Sequence, residues 1–178
     1  MTVRTFLSAA TAALMLAATC GSMAGAVKGR KKATAEIKDA KGQKVGDAKF
    51  SETSGGVLMS VKVLNLSPGA RAIHIHEAGK CEAPDFKTAG GHFNPEKKQH
   101  GMENPAGHHA GDLPNLTVDK KGKGVFKSTV KGVTLAGEGA NSLFHAGGTS
   151  VVIHEKADDM KTDPAGNAGA RIACGVIQ

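Results

Sequence analysis

His74-Ile-His76 closes an apolar run, and two histidines at i and i+2 of a β-strand point to the same face of its sheet. Neutral imidazole is the commonest side-chain ligand of transition metals, so this is the spacing of a grip on one ion. Downstream lie His92, His100, His109, Asp112 and His154. His92 and His100 are 8 residues apart, His100 and His109 are 9 apart, and Asp112 follows His109 by 3. Three nitrogens and a carboxylate oxygen make a closed four-coordinate set, which suits zinc. The His74/His76 pair and His154, with one loop histidine, make an all-nitrogen set, which suits the tetragonal preference of copper. The chain has enough ligands for two ions only if one histidine serves both through its two ring nitrogens.

Strands must carry these groups. Ala33–Ile37, Val45–Ser51, Val57–Leu66, Ala70–His76, Leu116–Val118, Val125–Ser128, Val130–Leu135, Thr149–His154 and Arg171–Ile177 read as short strands. Asp39-Ala-Lys-Gly42, Ser67-Pro-Gly69 and Asp119-Lys-Lys-Gly-Lys-Gly124 are turn signals between them. No long segment has a 3.6-residue period, so helix content should be low and the fold an all-β sandwich or barrel. Glu77–Pro114 is a long loop rich in Gly, Pro, His and Asn, and Glu155–Ala170 is also loop-like. A loop of the first length belongs in a compact domain only when it is functional or tied down, and a metal and a disulfide would do both.

Residues 1–26 read as a secretory leader: Arg4, an apolar stretch over Leu7–Thr19 too short to span a bilayer, and the small-residue site Ala24-Gly25-Ala26. The mature chain, residues 27–178, would be one domain of 152 residues starting at Val27. Cys20 leaves with the leader; a lipid-anchored cysteine is the other reading, and Thr19 is a poor residue to precede one. Cys81 and Cys174 then form an even pair, which in an exported protein reads as a disulfide. The leader points to export, to a periplasm first, with secretion or lipid anchoring as variants. The formal charge of +7 falls to +6 when Arg4 is removed. Much of it lies in Lys28-Gly-Arg-Lys-Lys32, and with no Trp or Tyr there is no stacking platform for nucleic acid. No second apolar stretch is long enough for a transmembrane helix.

Five motifs in one order resemble the copper,zinc superoxide dismutases: Ala72-Ile-His-Ile-His-Glu-Ala-Gly79, Gly90-Gly-His-Phe-Asn-Pro95, His109-Ala-Gly-Asp-Leu-Pro-Asn115, His154-Glu-Lys-Ala-Asp-Asp159 and Gly166-Asn-Ala-Gly-Ala-Arg-Ile-Ala-Cys-Gly-Val-Ile177. The resemblance implies a Greek-key β-sandwich, or flattened β-barrel, with long metal-binding loops. It implies that His74, His76, His92 and His154 hold copper and that His92, His100, His109 and Asp112 hold zinc, with His92 as bridge. It places Asp158 as the carboxylate joining a copper histidine to a zinc histidine, Arg171 as the residue that attracts superoxide, and Cys81–Cys174 as the disulfide. The activity implied is dismutation of superoxide to dioxygen and hydrogen peroxide by cyclic reduction and reoxidation of copper, with His92 and Arg171 as the catalytic residues.

The implied partner is superoxide. Some members of the family pair as homodimers, and some bacterial ones are monomers. Arg71 and Ala72 depart from the usual histidine and glycine, and the loop from Asp158 to Arg171 is short, with Pro164 and Ala165 where animal enzymes carry lysine and threonine. Lys156 and Lys161 are candidate substitutes for steering. His108 and His145 match no ligand position. The alternative reading is a noncatalytic copper- or zinc-binding envelope protein of the same fold, which would be expected to lose a copper ligand or Arg171; this chain keeps them.

Overall fold

A computed structural model describes Met1 and residues 30–178; the leader, Cys20 and the first residues of the basic run lie outside the described residues. Among the described residues there are nine strands: β1 (Lys32–Asp39), β2 (Lys44–Thr53), β3 (Gly56–Val63), β4 (Gly69–Arg71), β5 (Ile73–His76), β6 (Leu116–Val118), β7 (Gly124–Val130), β8 (Ser150–His154) and β9 (Arg171–Val176). The only helical piece among the described residues is a 3-10 turn over Lys87–Ala89. Seven strands form an antiparallel sheet in the order β5-β8-β9-β1-β2-β3-β7, and β4 pairs with β6. Because β4 runs into β5 and β6 is joined to β7 by the turn at Asp119–Lys123, the small pair closes the curled sheet into a flattened barrel.

The alternation expected of half-buried strands is plain in β1, where Ala33, Ala35 and Ile37 turn inward and Lys32, Thr34 and Glu36 outward. β3 does the same with Val57, Met59, Val61 and Val63. These side chains join Phe50, Leu116 and Phe126 in one core. β5 and β8 differ, being buried on both faces. Ile73, Ile75, Val151 and Ile153 enter the core, so His74, His76 and His154 must take the opposite face. The Glu77–Pro114 and Glu155–Ala170 loops cover that face. Phe86 and Ala89 of the first loop form a second apolar cluster with Val152 and Cys174.

Two expected strands are corrected. Ala70–His76 is two strands in two sheets, broken at Ala72, whose N–H donates to Lys156 O (2.7 Å) and whose carbonyl accepts from His154 N (2.9 Å). The expected strand over Val130–Leu135 does not form; Val130 is the last residue of β7. Val133 and Leu135 are still core residues, but the Leu135 N–H donates to the Glu52 carboxylate (2.6 Å) and not to a strand partner. Buried apolar spacing alone could not tell such a loop from a strand.

Cys81 and Cys174 are bonded with a sequence separation of 93, which ties the first loop to β9. Closing a loop of that size stabilises a fold by about 4–5 kcal/mol in the chain-entropy account. We expect Cys81→Ser/Cys174→Ser to lose most of that amount in denaturant unfolding of the metal-free protein; a loss below about 1 kcal/mol would refute it.

Candidate metal centre

The loops are stitched to β5 by main-chain bonds: Ile75 N–H donates to Gly111 O (2.9 Å), Phe93 N–H to Ile75 O (2.8 Å) and Glu77 N–H to Gly91 O (2.9 Å). His92 and Asp112 are thereby brought beside the two strand histidines. His74, His76, His92 and His154, all buried, place ligand atoms within 4.8 Å of one another. His92, His100, His109 and Asp112 do the same, and His92 belongs to both groups.

In the first group one nitrogen of each ring is engaged from behind. His74 Nε2 meets Asp158 Oδ2 at 2.7 Å. His76 Nδ1 donates to Gly90 O at 3.0 Å, and His154 Nδ1 to Gly169 O at 3.3 Å. His92 Nδ1 faces Asp112 Oδ1 at 2.8 Å. The opposite nitrogens (His74 Nδ1, His76 Nε2, His92 Nε2 and His154 Nε2) are buried without a hydrogen-bond partner among the described residues. An orphaned buried acceptor is costly, and four converging on one point are explained together by a cation that takes their lone pairs. Burial drives the pKa of His76 down to about 2, of His154 to about 3 and of His92 to about 4. At neutral pH these rings therefore present lone pairs, as copper requires.

The second group is oxygen- and nitrogen-lined. Asp112 Oδ2 accepts from the N–H groups of Gly101 (2.9 Å) and His109 (3.0 Å). Its Oδ1 lies 2.8, 3.1 and 3.2 Å from Nδ1 of His92, His100 and His109. His92 and His109 turn their Nδ1 atoms toward each other at 3.3 Å. Such convergence of three nitrogens on one carboxylate oxygen fits a shared cation of zinc type. Burial opposes the charged form of His100, but its bonds to Asp112 and Asp158 prevail and push it up to about 9. Against burial, bonds from His100, His109 and His92 hold Asp112, and bonds from His100 and His74 hold Asp158, below the ordinary carboxylate range.

Asp158 joins the groups, with Oδ2 on His74 and Oδ1 on His100 Nε2 (3.0 Å). Sequence reasoning missed two residues that hold it. Asn115 clamps its backbone, Nδ2 donating to Asp158 O (2.9 Å) and Oδ1 accepting from Asp158 N (2.8 Å). Gly166 passes so close that a Cβ there would lie 1.8 Å from Asp158 Oδ1 and 2.8 Å from His100 Nε2. Both stand inside the quoted motifs, but only the fold shows what they touch.

A surface channel reaches the first group, lined by His76, His92, His154, Pro164, Ala165 and Arg171 among others. The Arg171 guanidinium donates to Phe86 O (2.8 Å) and Gly90 O (2.7 Å). Lys156 and Lys161 are not among the lining residues; Lys161 pairs with Glu103 at 3.0 Å on the surface. His145 stacks on Phe93 with ring centroids 5.4 Å apart, and His108 Nδ1 donates to His109 O (2.6 Å); neither joins a ligand group.

Residues 44–177 match the family model described as copper/zinc superoxide dismutase. The chain is 53% identical to Superoxide dismutase [Cu-Zn] 1 of Aquifex aeolicus over 148 residues, 83% of this chain and 88% of the relative. It is 41% identical to the superoxide dismutase-like protein YojM of Bacillus subtilis, over 80% of this chain and 74% of that one. Among solved structures it resembles a dismutase-like protein from Bacillus subtilis (TM-score 0.78, 39% identity, 82% of this chain and 97% of that chain). It also resembles the Cu/Zn superoxide dismutase of Brucella abortus (TM-score 0.66, 28% identity, 83% and 99%).

Removing the link between the two groups should loosen both. We expect Asp158→Ala to weaken zinc and copper affinity by about 10- to 100-fold, as loss of an outer carboxylate does elsewhere. Competition with a chelator measures this, and wild-type affinity for both ions would refute it.

Proposed function

The chain belongs to the copper/zinc superoxide dismutase family, and from that premise we propose that His74, His76, His92 and His154 hold copper while His92, His100, His109 and Asp112 hold zinc. The reaction is the dismutation of two superoxide anions, with two protons, to dioxygen and hydrogen peroxide. Copper, when bound, supplies the one-electron reduction and reoxidation that this requires; zinc, without redox chemistry, supplies charge and bracing.

The observation that carries the assignment is the set of four orphaned imidazole nitrogens facing one point, each on a ring whose other nitrogen is engaged. Engagement from behind sets the tautomer and the ring angle, so the lone pairs are aimed before any ion arrives. Arg171 has the role of anion receptor. Its guanidinium is anchored by two carbonyls and lies in the channel wall beside His76 and His154. A fixed positive charge at the end of a channel concentrates a small anion and orients it. His92 has the role of proton carrier, the role the family resemblance implies for the histidine common to both ligand groups; its ring lines the channel. Asp158, held by Asn115, keeps the two ligand groups in register.

We assign residues 1–26 to a cleaved leader and residues 27–178 to the mature dismutase, exported to a periplasm. An oxidising compartment suits the Cys81–Cys174 bond. Among the described residues no helix is long and apolar enough to cross a membrane. Mass spectrometry of the exported protein should find an N-terminus at Val27; an intact leader, or lipid on Cys20, would overturn the processing assignment.

The test of function is elemental analysis with superoxide consumption on one sample. We expect one copper and one zinc per chain. His154→Ala should keep zinc, lose copper and fall to the background rate. Arg171→Ala should keep both ions and lower kcat/KM by about tenfold or more, with a flatter dependence on ionic strength. Full metal loading without activity would favour a noncatalytic metal-binding role.

A further inference from the structure

Glu77 follows His76 directly, is exposed, and lines the channel beside Arg171. A carboxylate there is unfavourable for a site that draws in an anion, so its presence asks for a compensating role. Its contacts supply one. The Glu77 N–H donates to Gly91 O (2.9 Å), while its Oε1 accepts from Gly91 N (2.9 Å). One residue thus holds both polar groups of Gly91. The side chain also packs on the neighbouring Gly90, where a Cβ would lie 2.8 Å from Glu77 Oε1 and Cγ.

Gly90 and Gly91 have no side chains of their own to restrain this part of the ligand loop. Gly90 has φ 76 and ψ −155, a region essentially closed to other residues. Two consecutive glycines have many alternatives to that geometry and lose the most freedom in adopting it. Yet the Gly90 carbonyl is the shared acceptor for two channel groups, His76 Nδ1 (3.0 Å) and Arg171 Nη2 (2.7 Å). His92, the histidine common to both ligand groups, comes two residues after Gly90.

We propose that Glu77 is a positioning residue: its carboxylate clamps the Gly90-Gly91 hinge so that one carbonyl sets both the ring of His76 and the guanidinium of Arg171. The proposal rests on the copper and anion roles given above to those two residues. The charge of Glu77 is incidental to the clamp; what matters is an acceptor oxygen at that reach. Glu77→Gln retains such an oxygen, and Glu77→Ala removes it. Because the side chain is exposed, both variants keep the core intact.

Two measurements test this. In the metal-free protein, hydrogen exchange of the Gly91 amide is followed by NMR. It should quicken about tenfold in Glu77→Ala, as for the loss of one hydrogen bond, and stay near wild type in Glu77→Gln. In the copper- and zinc-loaded protein, azide is titrated against the Cu(II) electron paramagnetic resonance spectrum. Glu77→Ala should alter the spectrum and bind azide several-fold more weakly. Glu77→Gln should restore the spectrum and bind azide at least as well as wild type, since a negative charge has left the channel wall. Wild-type exchange and azide affinity in Glu77→Ala would overturn the proposal, and so would a Glu77→Gln protein as perturbed as Glu77→Ala. If the exchange result holds while wild type itself takes up no copper, the clamp stands and the copper assignment falls.

Discussion

The carboxylate of Asp158, placed between His74 Nε2 and His100 Nε2, is the interaction on which the rest of the site depends. A buried imidazole must satisfy two nitrogens, and a ring that serves a single ion offers only one of them to it. The other must be occupied from behind, or the ring is free to turn. Asp158 does this for one ring of each group at once. A lone buried carboxylate would be expensive; one that accepts from two histidines, with its own backbone gripped by Asn115, is stable and charged. Gly166 leaves room for it where no other residue could.

The barrel makes this arrangement possible by burying β5 and β8 on both faces. On the inner face, Ile73, Ile75, Val151 and Ile153 join the apolar core and hold the strands rigidly. On the outer face, the same strands present His74, His76 and His154 beneath the loops. The period-2 geometry of a strand turns one short segment into both a core element and a ligand platform. The loops have no regular structure to hold them, so they are tied down at several points: main-chain bonds to β5, the Phe86 cluster, and the disulfide to β9.

Electrostatics divides the two ligand groups. The rings facing the channel are kept neutral by burial beside one another and beside Arg171. The rings around Asp112 and Asp158 sit in the field of two carboxylates. His92 belongs to both environments, with Nδ1 against Asp112 and Nε2 toward the other three imidazoles. That asymmetry is what the bridging role proposed for His92 requires.

The sequence by itself determined the candidate ligand types, the strand that carries His74 and His76, the all-β class, and the pairing of Cys81 with Cys174 once the family resemblance was seen. These are legible because a strand face repeats every two residues and because metal-binding side chains are few. The sequence could not separate Ala70–His76 into two strands or end β7 at Val130, since buried apolar spacing looks the same in a strand and in a packed loop. Nor could it assign Asn115, Gly166 or Glu77, which act through a side-chain amide, a missing Cβ and a single carboxylate oxygen. Only the tertiary structure decides such roles, because what matters is which distant backbone each of these residues meets.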